Sequence, residues 1–147
     1  MPNFEAGIRI FIQLIMKNAV IFIVEHNSYH GNLVKYHLQA NRFQDVRLFS
    51  NPEECLLAIS RGTAPDFIIS DTHSGRMSAT EFLGKIRESG HGIRVVFFSS
   101  SQDEALASKL LEEGAADYIH TVSKGDSGIR ELVKNLQFIC REAFPAG

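Results

Sequence analysis

Short apolar runs that alternate with helical patterns limit what this chain can fold into more than any other feature. Val20 to Val24 is an unbroken run of β-branched and aromatic residues, the composition of a strand buried on both faces. Leu33, Val34, His37 and Leu38 follow at helical spacing to about Ala40, and Val46 to Phe49 is a second strand. Asn51-Pro52-Glu53-Glu54 reads as a helix start, with proline early and acids at the positive end of the dipole; Gly62 stops that helix after Arg61. Phe67 to Ser70 is the third strand and Val95 to Phe98 the fourth. Between them, Ser78 and Glu81 have capping-box spacing ahead of Phe82, Leu83 and Ile86. Ser101 and Glu104 repeat that spacing and predict a helix through Leu106, Leu110 and Leu111, ended by Gly114. Tyr118 and Ile119 begin a fifth strand, and Ile129, Leu132, Val133, Leu136, Ile139 and Cys140 line a closing helix.

Five strands alternating with five helices specify an α/β domain, a doubly wound parallel sheet with helices on both faces. Ligands of such folds collect outside the carboxyl ends of the strands, near the point where strand order reverses. In "PDFIISDTHSGRMSATEF" the third strand ends in Asp71. A carboxylate on the lip of a buried strand is costly unless water, a metal or a phosphoryl group meets it. The other strand ends bring Glu25 and His26, Ser99 and Ser100, and His120 and Thr121 to the same rim. Carboxylates and hydroxyls together suit a hard cation and a phosphoryl group, although any rim facing water collects polar residues.

Residues 1–18 stand apart as a helical extension to a domain at 19–142, with a short tail at 143–147. Ile8, Phe11, Ile12 and Ile15 make one stripe of a helix, expected to pack on the domain or on a second copy in a homodimer. Met16 would itself serve as a start, so the residues before it are read as an appendage to the core. The stripe is too short to span a bilayer, and Glu5 without leading lysines makes a poor signal peptide. A net charge of −2 gives no pull toward nucleic acid or acidic membranes. Cys55 and Cys140, distant and outside any CxxC pair, read as small core residues in a reduced, cytoplasmic setting. His30 and His37 read as helix-face residues.

"VIFIVEH", "PDFIISDTHSGRMSATEFLGKIR", "VVFFSSS" and "EGAADYI", in this order and spacing, resemble the response-regulator receiver domain of two-component signalling over about Ala19 to Glu142. The resemblance implies a flavodoxin-like fold and a signalling module rather than an enzyme. It also implies that Asp71 accepts phosphate from a histidine kinase as an acyl phosphate. An acid pair after the first strand would hold Mg²⁺, here Glu25 with His26. Ser99 would match the hydroxyl that bonds the phosphoryl group, and Tyr118 the aromatic that repacks to alter the partner face.

Four positions depart from the pattern. His26 stands for the second acid, and imidazole is a poor ligand for Mg²⁺, so Mg²⁺ binding is expected to be weak. Thr121 stands where the family has lysine, with Lys124 three residues on as the cation that could reach back. Gly75 and Ala79 replace the usual proline and glycine.

Three functions follow: a phosphorylatable receiver with impaired chemistry, a pseudo-receiver that only binds partners or dimerises, and a transition-metal module built on His26, Asp71 and His73. "DTHSG" has its glycine one residue early for a cobalamin motif, and "EHNSYHGN" is not a flavin phosphate loop. "AFPAG" is too short for an output domain, so output is expected through another protein.

Overall fold

The computed structural model describes residues 4–121 and 127–142. Lys124 and the tail at 143–147 lie outside them. The described residues form eleven elements in order: α1 (Phe4–Asn18), β1 (Val20–Val24), α2 (Ser28–Ala40), β2 (Asp45–Phe49), α3 (Pro52–Ser60), β3 (Phe67–Ser70), α4 (Ala79–Glu88), β4 (Arg94–Ser99), α5 (Glu104–Glu112), β5 (Asp117–His120) and α6 (Ser127–Glu142). The strands form one parallel sheet in the order β2-β1-β3-β4-β5. Strand order reverses between β1 and β3, so the polar loops after those two strands face each other at the carboxyl rim.

Because side chains alternate along a strand, the apolar runs feed two cores. Ile21, Ile23, Phe67, Ile69, Val96, Phe98 and Ile119 point to one face, where Val34 and Leu38 of α2 and Leu132 and Leu136 of α6 cover them. Phe22, Val24, Ile68, Val95 and Phe97 point to the other, under Cys55 of α3, Phe82, Leu83 and Ile86 of α4 and Leu110 of α5. Each such side chain contributes about 1.5–3 kcal/mol on leaving water. This double covering buries both faces of the sheet beneath the rim.

Local signals fixed the starts of three helices. Asn27, Asn51 and Ser78 cap α2, α3 and α4 by accepting the N–H of His30, Glu54 and Glu81. The start of α5 differs from the expectation. Asp103, not Ser101, caps the helix by accepting the Leu106 N–H, while Ser101 Oγ accepts the N–H of Asp103. Asp at the N-cap outcompetes the earlier serine because it also places a negative charge on the helix dipole.

Helix α1 lies against α6. Met16 is buried, and Ile12 and Ile15 pack half-buried on the same core, so α1 rests on the domain along this side. Phe4, Ile10 and Leu14 remain exposed. No helix among the described residues is long and apolar enough to cross a membrane.

Candidate functional site

The rim is built by the chain leaving β1 and β3. Asp71 continues the strand pairing, its N–H donating to Val24 O at 3.0 Å, which sets its carboxylate beside the end of β1. The N–H of His73 donates to Asp71 Oδ1 at 2.8 Å, and His26 Nδ1 lies 3.3 Å from Oδ2. Ser74 ties the two loops together: its Oγ accepts the His26 N–H at 3.2 Å and lies 3.4 Å from the His26 ring nitrogen.

Glu25 turns inward. Its Oε1 sits 3.1 Å from His30 Nδ1, and the His30 ring stacks on Phe98 at 5.7 Å. Its Oε2 is buried and, among the described residues, is the one buried side-chain nitrogen or oxygen without a hydrogen-bond partner. Donor atoms of Glu25, His26 and Asp71 all lie within 4.8 Å of one another.

The electrostatics divide the two carboxyls. Burial pushes the Glu25 carboxyl above its ordinary value, the neighbouring Asp71 adds to that push, and His30 opposes it. Burial would raise Asp71 too, but the Glu25 carboxyl in its protonated form, the Ser74 hydroxyl, the His73 N–H and His26 together outweigh it and hold Asp71 low. The hydrogen bond to Glu25 raises His30 against the effect of burial. Asp71 is therefore the ionised oxygen of the site, and Glu25 is the carboxyl that would gain most from a cation.

Away from Asp71 the parts are tied elsewhere. Ser99 Oγ is 2.7 Å from Thr72 Oγ1 and accepts the Ser101 N–H at 3.0 Å. Tyr118 donates its hydroxyl to Ser101 O at 3.0 Å. Thr121 is half-buried and donates its N–H to Ser99 O, and His120 Nε2 lies 3.0 Å from Ser100 O.

The structure thus brings together Glu25, His26 and Asp71 of the residues expected at the site. His73 contributes its backbone N–H, and its imidazole is not among the converging donors. Lys124 lies outside the described residues. Sequence reasoning missed Ser74 and took His30 for a helix-face residue. The signal for His30 was the cap: with Asn27 as N-cap, His30 is the third helical residue and turns back over the rim.

The donor set fits a divalent cation in part. An orphaned buried carboxylate oxygen beside an ionised aspartate invites one, yet the third donor is an imidazole nitrogen where an all-oxygen octahedron would suit Mg²⁺.

Residues 21–134 match the response regulator receiver domain. The chain belongs to that family. It is similar, at 26% identity over 121 residues, to hybrid signal transduction histidine kinase D of Dictyostelium discoideum, covering 78% of this chain but only 7% of that protein. Among solved structures, the receiver domain of a Francisella response regulator superposes with a TM-score of 0.71 at 18% identity, over 86% of this chain and 98% of that one. The Mn²⁺-bound form of response regulator Rcp1 does so at 0.73 and 16%, over 83% and 94%. These structural likenesses bear on the fold: the sheet order β2-β1-β3-β4-β5 is the receiver arrangement, and this is a receiver domain of two-component signalling.

Proposed function

We propose that this receiver domain accepts a phosphoryl group on Asp71 from a histidine kinase and passes the signal on through protein contacts, in the cytoplasm and without enzymatic output of its own. The observation that carries this reading is the placement of Asp71. It stands at the carboxyl rim, with one oxygen fixed by the His73 N–H and the other turned toward Glu25 and His26, neighbours that hold its carboxyl below the ordinary value. In the transfer, the carboxylate oxygen attacks phosphorus as the P–N bond of a phosphohistidine breaks, and the histidine nitrogen keeps the bonding electrons. A divalent cation between Asp71 and Glu25 would offset the charge that gathers on the phosphoryl oxygens. Thr121, in place of lysine, forfeits about 1.5–3 kcal/mol of charge-assisted bonding to that group.

Beryllofluoride, an acyl-phosphate mimic, tests this by NMR in the presence of a divalent cation. Saturable shifts at Asp71, Ser99 and Tyr118 that vanish in Asp71→Ala are expected. Shifts that persist in the variant would remove Asp71 from the role.

One observation favours a second reading, that of a phosphorylation-independent interaction module. Ser99 is bonded to Thr72, and Tyr118 to Ser101 O, so the two groups a phosphoryl switch would recruit already have partners. On that reading α6 and the exposed apolar side of α1 supply the contact face, including a homodimer, and beryllofluoride produces no response.

A further inference from the structure

We propose that Glu25, His26 and Asp71 form a mixed nitrogen–oxygen site for a borderline transition cation, Zn²⁺ above all, rather than for Mg²⁺. The inference rests on the reading that the Asp71 rim binds a divalent cation, and it names which kind.

The geometry is close to what zinc takes. Nitrogen and oxygen ligands stand about 2.0–2.2 Å from Zn²⁺ in a tetrahedron, which puts neighbouring donors roughly 3.4 Å apart. His26 Nδ1 is 3.3 Å from Asp71 Oδ2 and 4.0 Å from Glu25 Oε2, so small side-chain shifts close the set. The His26 side chain is 64% exposed, so a fourth ligand would come from solvent on that side. Catalytic and substrate-accessible zinc sites share this count, three protein donors and one open place.

The surroundings prepare the donors for a cation. His30 occupies Oε1 of Glu25 and is itself fixed by stacking on Phe98, which leaves Oε2 buried, reached by no N–H donor and facing the other two. Such outer contacts orient a ligating carboxylate and restrict its rotamers. Ser74 fixes the backbone at His26 by accepting its N–H. Glutamate is one methylene longer than aspartate, so without the His30 contact Oε2 would have freedom to swing out of the site.

The chemistry then selects the ion. Imidazole nitrogen suits zinc and other late first-row ions, whereas Mg²⁺ takes oxygen in a strict octahedron and gives up its water reluctantly.

The test uses the full chain, ¹⁵N-labelled and freed of metal with a chelator, titrated with Zn²⁺ and with Mg²⁺. Binding is read by calorimetry and by the ring nitrogens of His26 in long-range ¹H–¹⁵N spectra. One equivalent of Zn²⁺ is expected to shift His26 Nδ1 strongly, while millimolar Mg²⁺ leaves it unmoved. His26→Asp is expected to lower Zn²⁺ affinity at least tenfold and to raise Mg²⁺ affinity. The exposure of His26 lets that variant keep its fold, which circular dichroism verifies. A His26 ring indifferent to Zn²⁺, or a Zn²⁺/Mg²⁺ preference unchanged in His26→Asp, overturns the proposal. Beryllofluoride separates it from the phosphoacceptor reading. Zn²⁺ bound through His26 with no beryllofluoride response under any cation upholds the metal site and removes the phosphoacceptor. Beryllofluoride bound with Mg²⁺ while His26 ignores Zn²⁺ does the reverse.

Discussion

The loop after Asp71 makes its sharpest demand at Gly75. Its φ is 76°, in the left-handed region, and an added Cβ would stand 2.7 Å from Glu53 Oε2, 3.0 Å from Pro52 Cδ and 3.1 Å from Asn51 Cβ. Gly90 supplies the control: its φ is 73°, and nothing lies within 4 Å of the same added atom. Both alanine variants therefore incur the same left-handed backbone cost of about 1–2 kcal/mol. Both also recover about 0.4–1 kcal/mol from a stiffer unfolded chain. Gly90→Ala should end near 1 kcal/mol.

Gly75→Ala adds two further costs. Glu53 must move and release the Arg76 N–H it accepts at 3.3 Å, worth about 0.5–1.5 kcal/mol. Pro52 and Asn51, which open α3, cannot swing aside as a side-chain tip can, and crowding them costs about 1 kcal/mol or more. The expected total is about 2–4 kcal/mol, measured by urea unfolding of both variants at neutral pH. Gly75→Pro, which installs the residue usual in the family, is expected to be worse still, because proline holds φ near −65°. Equal losses in Gly75→Ala and Gly90→Ala would refute the contact argument and leave only the backbone.

Two other outcomes are expected. Glu25 is raised above its ordinary value of 4.5, so the fold favours its protonated form: that contribution is present in acid and is lost as pH rises through the folded value. Glu25→Gln should accordingly be more stable than the wild type at pH 7 in metal-free buffer, with the gap closing toward pH 3; urea midpoints across that range would measure it. Thr121→Lys restores a cation opposite the phosphoryl position and should tighten beryllofluoride binding about 10- to 100-fold, the equivalent of a charge-assisted bond worth about 1.5–3 kcal/mol. An NMR titration with unchanged affinity would argue that residue 121 does not face the phosphoryl group.

Much of the architecture was legible because it depends on short-range chemistry. The apolar runs at Val20–Val24 and Phe67–Ser70 have the lengths and the composition of strands covered on both faces, and the structure returns strands with those bounds. Asn51 and Ser78 cap their helices as their side chains allow. The placement of Asp71 could be read because the carboxyl rim of a parallel sheet is a position in the topology as well as a place in space.

What stayed hidden depends on side chains meeting across loops. His30 follows Glu25 by five residues, a spacing with no periodicity in either a strand or a helix, and only the turn between them folds one onto the other. Ser74 reaches His26 across 48 positions. At α5 two capping residues competed within three positions, and the spacing rule alone could not rank Ser101 against Asp103.

The junction between α1 and β1 has a mechanical meaning. Only Ala19 separates the two elements; it is buried, and its N–H donates to Ile15 O at 2.9 Å, so the helix ladder runs to the edge of the sheet without slack. Beyond it, β1 is bonded on both sides, to β2 and β3, and delivers Glu25 at its far end. A helix, one residue and a central strand thus make a single strut about 17 Å long in its strand portion. Tension applied at α1 would fall along β1 and load both ladders in shear, many bonds at once, instead of peeling them one by one. In this domain the carboxyl rim and the first helix are opposite ends of one stiff member.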